Sequence, residues 1–161
     1  MGIFGAGPFD GDDAAEFLDK VFAARGADAI ASRIRREVLG VAEVGESDRY
    51  ITARAAAQFV VLAHKQASLP SLLDVVRLLA HIRGDREWIA AWYKPKKIAK
   101  ALDLELMSVL ATMSESGCTK GDVRDARMLV RAALEAPVSR HEKHRMRRSK
   151  KKARPARKGG R

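Results

Sequence analysis

From Asp13 onward the apolar positions of this chain recur at helical spacing rather than in alternation. Ala14, Phe17, Leu18, Val21 and Phe22 define a first stripe, and Ile30, Ile34 and Val38 a second, with Gly26 and Gly40 as the expected stops. The polar VGESDRY segment reads as a connector. Beyond it, Ile51, Ala55, Ala56, Phe59, Val60 and Ala63 predict a longer helix whose alanine-rich run favours both helix formation and close packing. Pro70 suits the first turn of the next helix, where Leu72, Val75, Val76, Leu79 and Ile82 make a stripe that Gly84 ends.

After a short WIAAWYKP segment, Pro95 opens a helix carrying Ile98, Leu102, Leu106, Val109, Leu110 and Met113, closed by Gly117. Thr119 and Asp122 have capping-box spacing ahead of Val123, Ala126, Val130, Ala133 and Leu134, and Pro137 ends the series. No segment alternates as a strand does, so the expectation is an all-α fold, a compact bundle of about six helices over residues 1–139. Val41 to Val44 is the one place where a short strand is allowed.

Residues 140–161 follow different physics. The only apolar side chains between Ser139 and Arg161 are Met146, Ala153, Pro155 and Ala156, too few to form a face that docks on a core. This basic C-terminal tail is expected to be disordered when free. Ser139 and Glu142 again have capping-box spacing, so a helix from about Arg140 to Ala153 could form once phosphates neutralise its like charges.

Charge sharpens the division. Residues 140–161 hold 12 of the 31 Lys and Arg and one of the 20 acids, so the remaining residues carry 19 of each and the whole net charge of +11 sits in the tail. A body of zero net charge provides no general steering of anions. A single cysteine, Cys118, excludes an internal disulfide and argues for a reducing, cytoplasmic setting, free or with nucleoid or ribosome. No apolar run approaches the roughly 20 residues needed to span a bilayer. Five acids (Asp10, Asp12, Asp13, Glu16, Asp19) precede the first base, Lys20, the opposite of a secretory leader.

The opening MGIFGAGPFDGDDAAEF contains Gly5, Gly7 and Gly11, but no strand precedes them and acids stand where a P-loop lysine belongs. A calcium loop fails at Ala14 and Ala15. The reading is structural: the glycines allow a tight segment, Phe4 and Phe9 insert into the core, and Asp10, Asp12 or Asp13 accepts the free amides of the Ala14 helix. The pattern MGxFGxGxFDxDxA with Glu16 and Phe17 resembles a bacterial domain-of-unknown-function family, number 4259, whose members typically begin MGxWGxGxFDNDxAxDW. The likeness is strong over residues 1–18 and does not include the basic tail. Phe4 and Phe17 stand where the family often has Trp, and Gly11 where it often has Asn. The resemblance implies a cytosolic bacterial helical domain and no particular reaction.

Catalytic candidates are sparse. His141 and His144 in HEKH are three apart, one short of the helical metalloprotease spacing. His64 and His81 adjoin apolar stripes and read as structural, and Cys118 as a turn cysteine without a neighbouring base. No nucleophile, base and orienter set is recognisable, so neither enzyme activity nor a cofactor is expected. The Asp10, Asp12 and Asp13 cluster is the least unfavourable metal candidate.

Two stretches point to a polyanion. The tail supplies Arg140, Lys143, Arg145, Arg147, Arg148, Lys150, Lys151, Lys152, Arg154, Arg157, Lys158 and Arg161 with no aromatic among them, which gives phosphate contacts without base readout. A second contact is available at Trp88 and Trp92, four apart, followed by Lys94, Lys96, Lys97 and Lys100, although the tryptophans equally suit core anchors with Ile89. The expectation is a non-enzymatic protein tethered to DNA or RNA by its arm, with weak sequence specificity. The alternative is a protein-interaction module, antitoxin-like, immunity-like or an adaptor, with an acidic partner. The tail would then serve solubility, or regulation by folding back on residues 1–19, whose net charge is −5. Membrane attachment is not expected: no apolar anchor accompanies the charge, and Ala6 occupies the position where myristoylation wants Ser or Thr.

Overall fold

A computed structural model of the chain describes residues 6–44 and 47–136. Phe4, the Ser139/Glu142 pair, the HEKH string and the whole basic tail lie outside the described residues. Among those described, the fold is all-α, with seven helices and no strand: α1 (Asp12–Phe22), α2 (Ala27–Val44), α3 (Tyr50–Leu62), α4 (Leu72–Gly84), α5 (Arg86–Ala91), α6 (Pro95–Glu115) and α7 (Lys120–Glu135). A single 3-10 turn, Ser47–Arg49, leads into α3.

Helix α4 is the axis of the bundle and packs against α2, α3, α6 and α7. Its sequence explains the position, because Leu72, Leu73, Val75, Val76, Leu78, Leu79 and Ile82 are buried around most of its circumference. Helix α3 approaches α2 and α4 through Ala53, Ala55, Ala56 and Ala57, all buried, whose small side chains let the backbones come close. Helices α6 and α7 form a hairpin joined at Gly117, which takes φ +73 just after the end of α6, a conformation that suits a residue without a Cβ. The expected stripes on α4 and α6 are the buried ones: Ile98, Leu102, Leu106, Val109 and Met113 of α6 all lie in the core.

The helix starts differ in detail from expectation. Pro70 precedes α4 rather than joining its first turn. Ser71 is the N-cap, with a full capping box in which its hydroxyl accepts the Asp74 amide at 3.2 Å and its own amide donates to the Asp74 carboxylate at 3.1 Å. At α7, the Thr119 hydroxyl accepts the Asp122 amide at 3.1 Å and donates to the Asp122 carboxylate at 2.7 Å. Pro95 opens α6 as expected.

Two boundaries depart further. Helix α2 does not stop at Gly40 but runs to Val44, so the short strand allowed at Val41 to Val44 is helix. The reason is packing: Val41 continues the stripe of Ile34 and Val38 and is fully buried, while the side-chain-free Gly40 faces the Arg49 guanidinium. The seventh helix, α5, is a six-residue segment that the WIAAWYKP stretch had left unassigned. Asp85 starts it by accepting the Trp88 amide at 3.0 Å.

The N-terminal aspartates also behave differently. Gly11 is the N-cap of α1 and makes no side-chain cap, and Asp12 and Asp13 sit in the first turn, where their charge suits the helix dipole. Asp10 instead folds back and accepts the Gly7 amide at 2.7 Å, closing a turn one step earlier. Phe9 remains 42 % exposed, resting edge-on against Phe59, whereas Phe17 is buried against the same ring.

Candidate functional site

Four charged side chains are buried among the described residues, Glu37, Arg54, Arg83 and Glu105, and Glu37 accepts from Arg49 Nη2 at 2.8 Å. Arg54 on α3 is fully buried and pairs with Glu105 on α6, its Nε donating to Oε2 at 3.2 Å, while its Nη2 also donates to the Ala6 carbonyl at 2.8 Å. It therefore joins two helices and the N-terminal segment. Burial pushes the Glu105 carboxyl above its usual range, against the lowering pull of Arg54. Arg83, at the end of α4, is also buried and donates to Asp103 of α6 at 2.7 Å and to the Ala136 carbonyl at 3.3 Å. Ala136 caps the end of α7, so Arg83 ties that end to α6.

The start of α6, the helix that carries Asp103, is basic. Lys100 precedes Asp103 by three residues on α6, and Lys97 and Lys96 lie one further turn back, about 9–11 Å along the helix axis from Asp103 at 1.5 Å per residue. Lys94, Lys96, Lys97 and Lys100 are all exposed. Trp88 and Trp92 face inward: they are half-buried against the core, with ring centroids 5.2 Å apart and edge-to-face geometry. Trp88 in turn meets the buried Tyr50 ring at 5.3 Å. The aromatic residue that stands out beside the lysines is Tyr93, 94 % exposed, with Lys94 Nζ 5.6 Å from its ring centroid. Periodicity alone does not choose Tyr93 over the tryptophans, because which aromatic faces out depends on where α5 ends.

Tyr50 anchors a polar cluster with His81 and Asp85 at the end of α4. Its hydroxyl donates to Asp85 at 3.1 Å and lies 3.1 Å from His81 Nε2. Burial first, then the hydrogen bond and charge of Asp85, push the phenol up to about 12. Its partners make it a structural group rather than a reactive one. His64 is likewise occupied, its Nδ1 2.9 Å from the Val61 carbonyl.

A second surface was not anticipated. An open groove of about 600 Å³ runs between α6 and α7, lined by the buried Met113, the half-buried Val123 and the exposed Met128, with Cys118 also in its lining. Lys120, Arg124, Arg127 and Arg131 line it without any carboxylate among the lining residues. Arg124 is paired with Asp125 and Arg131 with Glu135. The signal was present in the sequence, since positions 120, 124, 127 and 131 share one helical face.

Among the described residues no three His, Cys, Asp or Glu side chains gather as a metal site would require, and no helix is long and apolar enough to cross a membrane. The twelve tail cations from Arg140 to Arg161 lie outside the described residues. The chain finds no match among curated proteins or among solved structures. A family model described as a domain of unknown function (DUF4259) matches residues 2–147, reaching far past the motif-bearing start and into the first residues of the basic segment.

Proposed function

From the premise that the chain belongs to the DUF4259 family, whose description carries no reaction to transfer, we propose that it is a non-enzymatic nucleic-acid-associating protein. The helical body is held near DNA or RNA by the Lys/Arg-rich segment 140–161. The observation that carries this reading is charge segregation: the whole net charge of +11 resides in those 22 residues, while the rest of the chain is balanced. The start of α6 adds support, because Lys96, Lys97 and Lys100 are exposed on the helix that Arg83 ties to Ala136 at the end of α7. A cation cluster of this kind contacts phosphates and reads sequence weakly.

The test is fluorescence-anisotropy binding of the full chain and of a chain ending at Ser139 to duplex DNA and to structured RNA across a salt series. With six to eight tail charges on duplex phosphates, log K falls with log salt at a slope of roughly −5 to −7, and most of that slope disappears with the tail. Equal binding by the two proteins at moderate salt overturns the assignment to the tail.

The groove between α6 and α7 favours a second reading, a protein-interaction module for an acidic partner. Its apolar lining and four cations suit an amphipathic helix with a carboxylate-rich rim. A designed Leu/Glu amphipathic peptide is the probe. It should bind the full chain and lose affinity on Lys120→Glu with Arg127→Glu, whereas unchanged affinity removes the groove from consideration.

A further inference from the structure

We propose that Tyr93 is a base-stacking platform that gives the body a preference for single-stranded nucleic acid, with Lys94, Lys96 and Lys97 on the flanking phosphates. The inference rests on the nucleic-acid reading above and adds to it a strand class and a residue. Its starting point is the geometry of the three-residue step, Trp92 to Lys94, between α5 and α6. Trp92 takes extended backbone angles (φ −74, ψ 145), and Pro95 fixes the first turn of α6. At these polyproline-like angles successive side chains are rotated by about 120°, so neighbours cannot share a face. With Trp92 turned inward onto Trp88, Tyr93 is turned outward.

The result is a presented ring on a rigid base. Tyr50, Trp88 and Trp92 form a continuous edge-to-face column from the core to the surface, at 5.3 and 5.2 Å, and hold the connector in place. Tyr93 is the next residue and the most exposed large hydrophobic side chain among the described residues. Phe22, also well exposed, has an aromatic partner in Phe59, whereas the contact Tyr93 makes is with a cation, Lys94. A tyrosine has only two side-chain torsions, so ordering it against a base costs little conformational entropy. An exposed π face next to several lysines offers the two interactions that non-sequence-specific single-strand binders combine, stacking and phosphate neutralisation. Duplex ends apart, paired DNA hides its base faces, so stacking on Tyr93 selects unpaired bases whereas the tail's charge does not.

The experiment compares the full-length protein with Tyr93→Ala and Tyr93→Phe. Binding is read by anisotropy at one moderate salt concentration, to labelled oligothymidylate of about 20 nucleotides and to a duplex of similar length, above the site sizes typical of single-strand binders. Tyr93→Ala should weaken oligothymidylate binding about 5- to 100-fold, the range for losing one stacked base, with duplex affinity unchanged. Tyr93→Phe should retain the wild-type value. Because the side chain is almost wholly exposed, urea midpoints should coincide, which separates the effect from misfolding. If the wild type binds both probes and Tyr93→Ala changes neither, or weakens both equally, the stacking role is overturned while the charge reading survives. If the wild type binds neither probe, both fall.

Discussion

Arg54 and Glu105 come from helices that are neighbours neither in sequence nor through the main helix contacts, yet they meet as a buried ion pair and draw the Ala6 carbonyl into the same cluster. The pair ties α3, α6 and the start of the chain together inside the apolar core. Taking two charges out of water offsets much of their attraction, so the arrangement specifies geometry more than it adds stability.

The single and double variants should therefore disagree. Glu105→Leu leaves a guanidinium buried without its carboxylate, and unfolding in urea should show a loss of about 3–5 kcal/mol. Arg54→Met combined with Glu105→Leu should recover most of that loss. Additive losses would mean that the two side chains stabilise independently. The raised Glu105 carboxyl adds a pH signature. Between the usual glutamate value and the raised one, the folded state binds more protons than the unfolded state, so stability rises as pH falls through that window. Glu105→Gln should lack this component.

Tyr50 gives the opposite end of the pH scale. Its phenol is raised to about 12 by burial and by Asp85, so the folded state keeps a proton that the unfolded state releases near 10. The contribution is fully present below pH 10 and is lost as pH rises through 12. Ultraviolet titration should show a tyrosine ionising near 12 that disappears in Tyr50→Phe. That variant should also lose about 1 kcal/mol at neutral pH for the missing hydrogen bonds.

Much of the scaffold was legible because apolar side chains report their own position: the stripes of α4 and α6 read from the sequence are the buried faces of those helices. Glycine misled at residue 40, where tertiary packing of Val38 and Val41 outweighed a local stop signal. The interior charges were not legible. Arg54 sits in an alanine-rich run and Glu105 in an apolar stripe, and a partner 51 residues away leaves no local mark. Asp10 looked like a helix cap because acids precede α1, yet its carboxylate found the nearer Gly7 amide. For the surface, the lysines at 94, 96, 97 and 100 were evident in the sequence, while the outward turn of Tyr93 depends on one extended residue at the end of a six-residue helix.

Two glycines should respond to alanine with opposite sign. Gly117 has φ +73, where a Cβ is strained, so Gly117→Ala should cost on the order of 1 kcal/mol. Gly84 is the last residue of α4, does not have positive φ and has open space around a built Cβ. Gly84→Ala should stabilise by about 0.4–1 kcal/mol through the unfolded chain. Thermal unfolding distinguishes them, and equal shifts would contradict the strain argument.

Arg83 should govern the end of α7. Its guanidinium bridges Asp103 and the Ala136 carbonyl, so Arg83→Met removes the tie between α6 and the last turn of α7. Amide exchange should quicken from Ala132 to Ala136 while the buried middle of α7 stays protected. Because removing Arg83 also leaves Asp103 without its cation, Asp103→Asn serves as the control: it keeps the Ala136 bond and should leave exchange at the end of α7 unchanged.

The lysines at the start of α6 separate body from tail in the salt dependence. Each phosphate contact adds roughly 0.9 to the magnitude of the slope of log K against log salt on duplex DNA. Replacing Lys94, Lys96, Lys97 and Lys100 with Gln in the full chain should lower that magnitude by no more than about 4, less than removal of the tail does. The surface position of these four side chains makes the substitutions harmless to the fold, so the change can be read as lost contacts. A slope that does not move assigns duplex binding wholly to residues 140–161. A slope that falls by the full amount instead makes the start of α6 part of the phosphate-binding surface alongside residues 140–161.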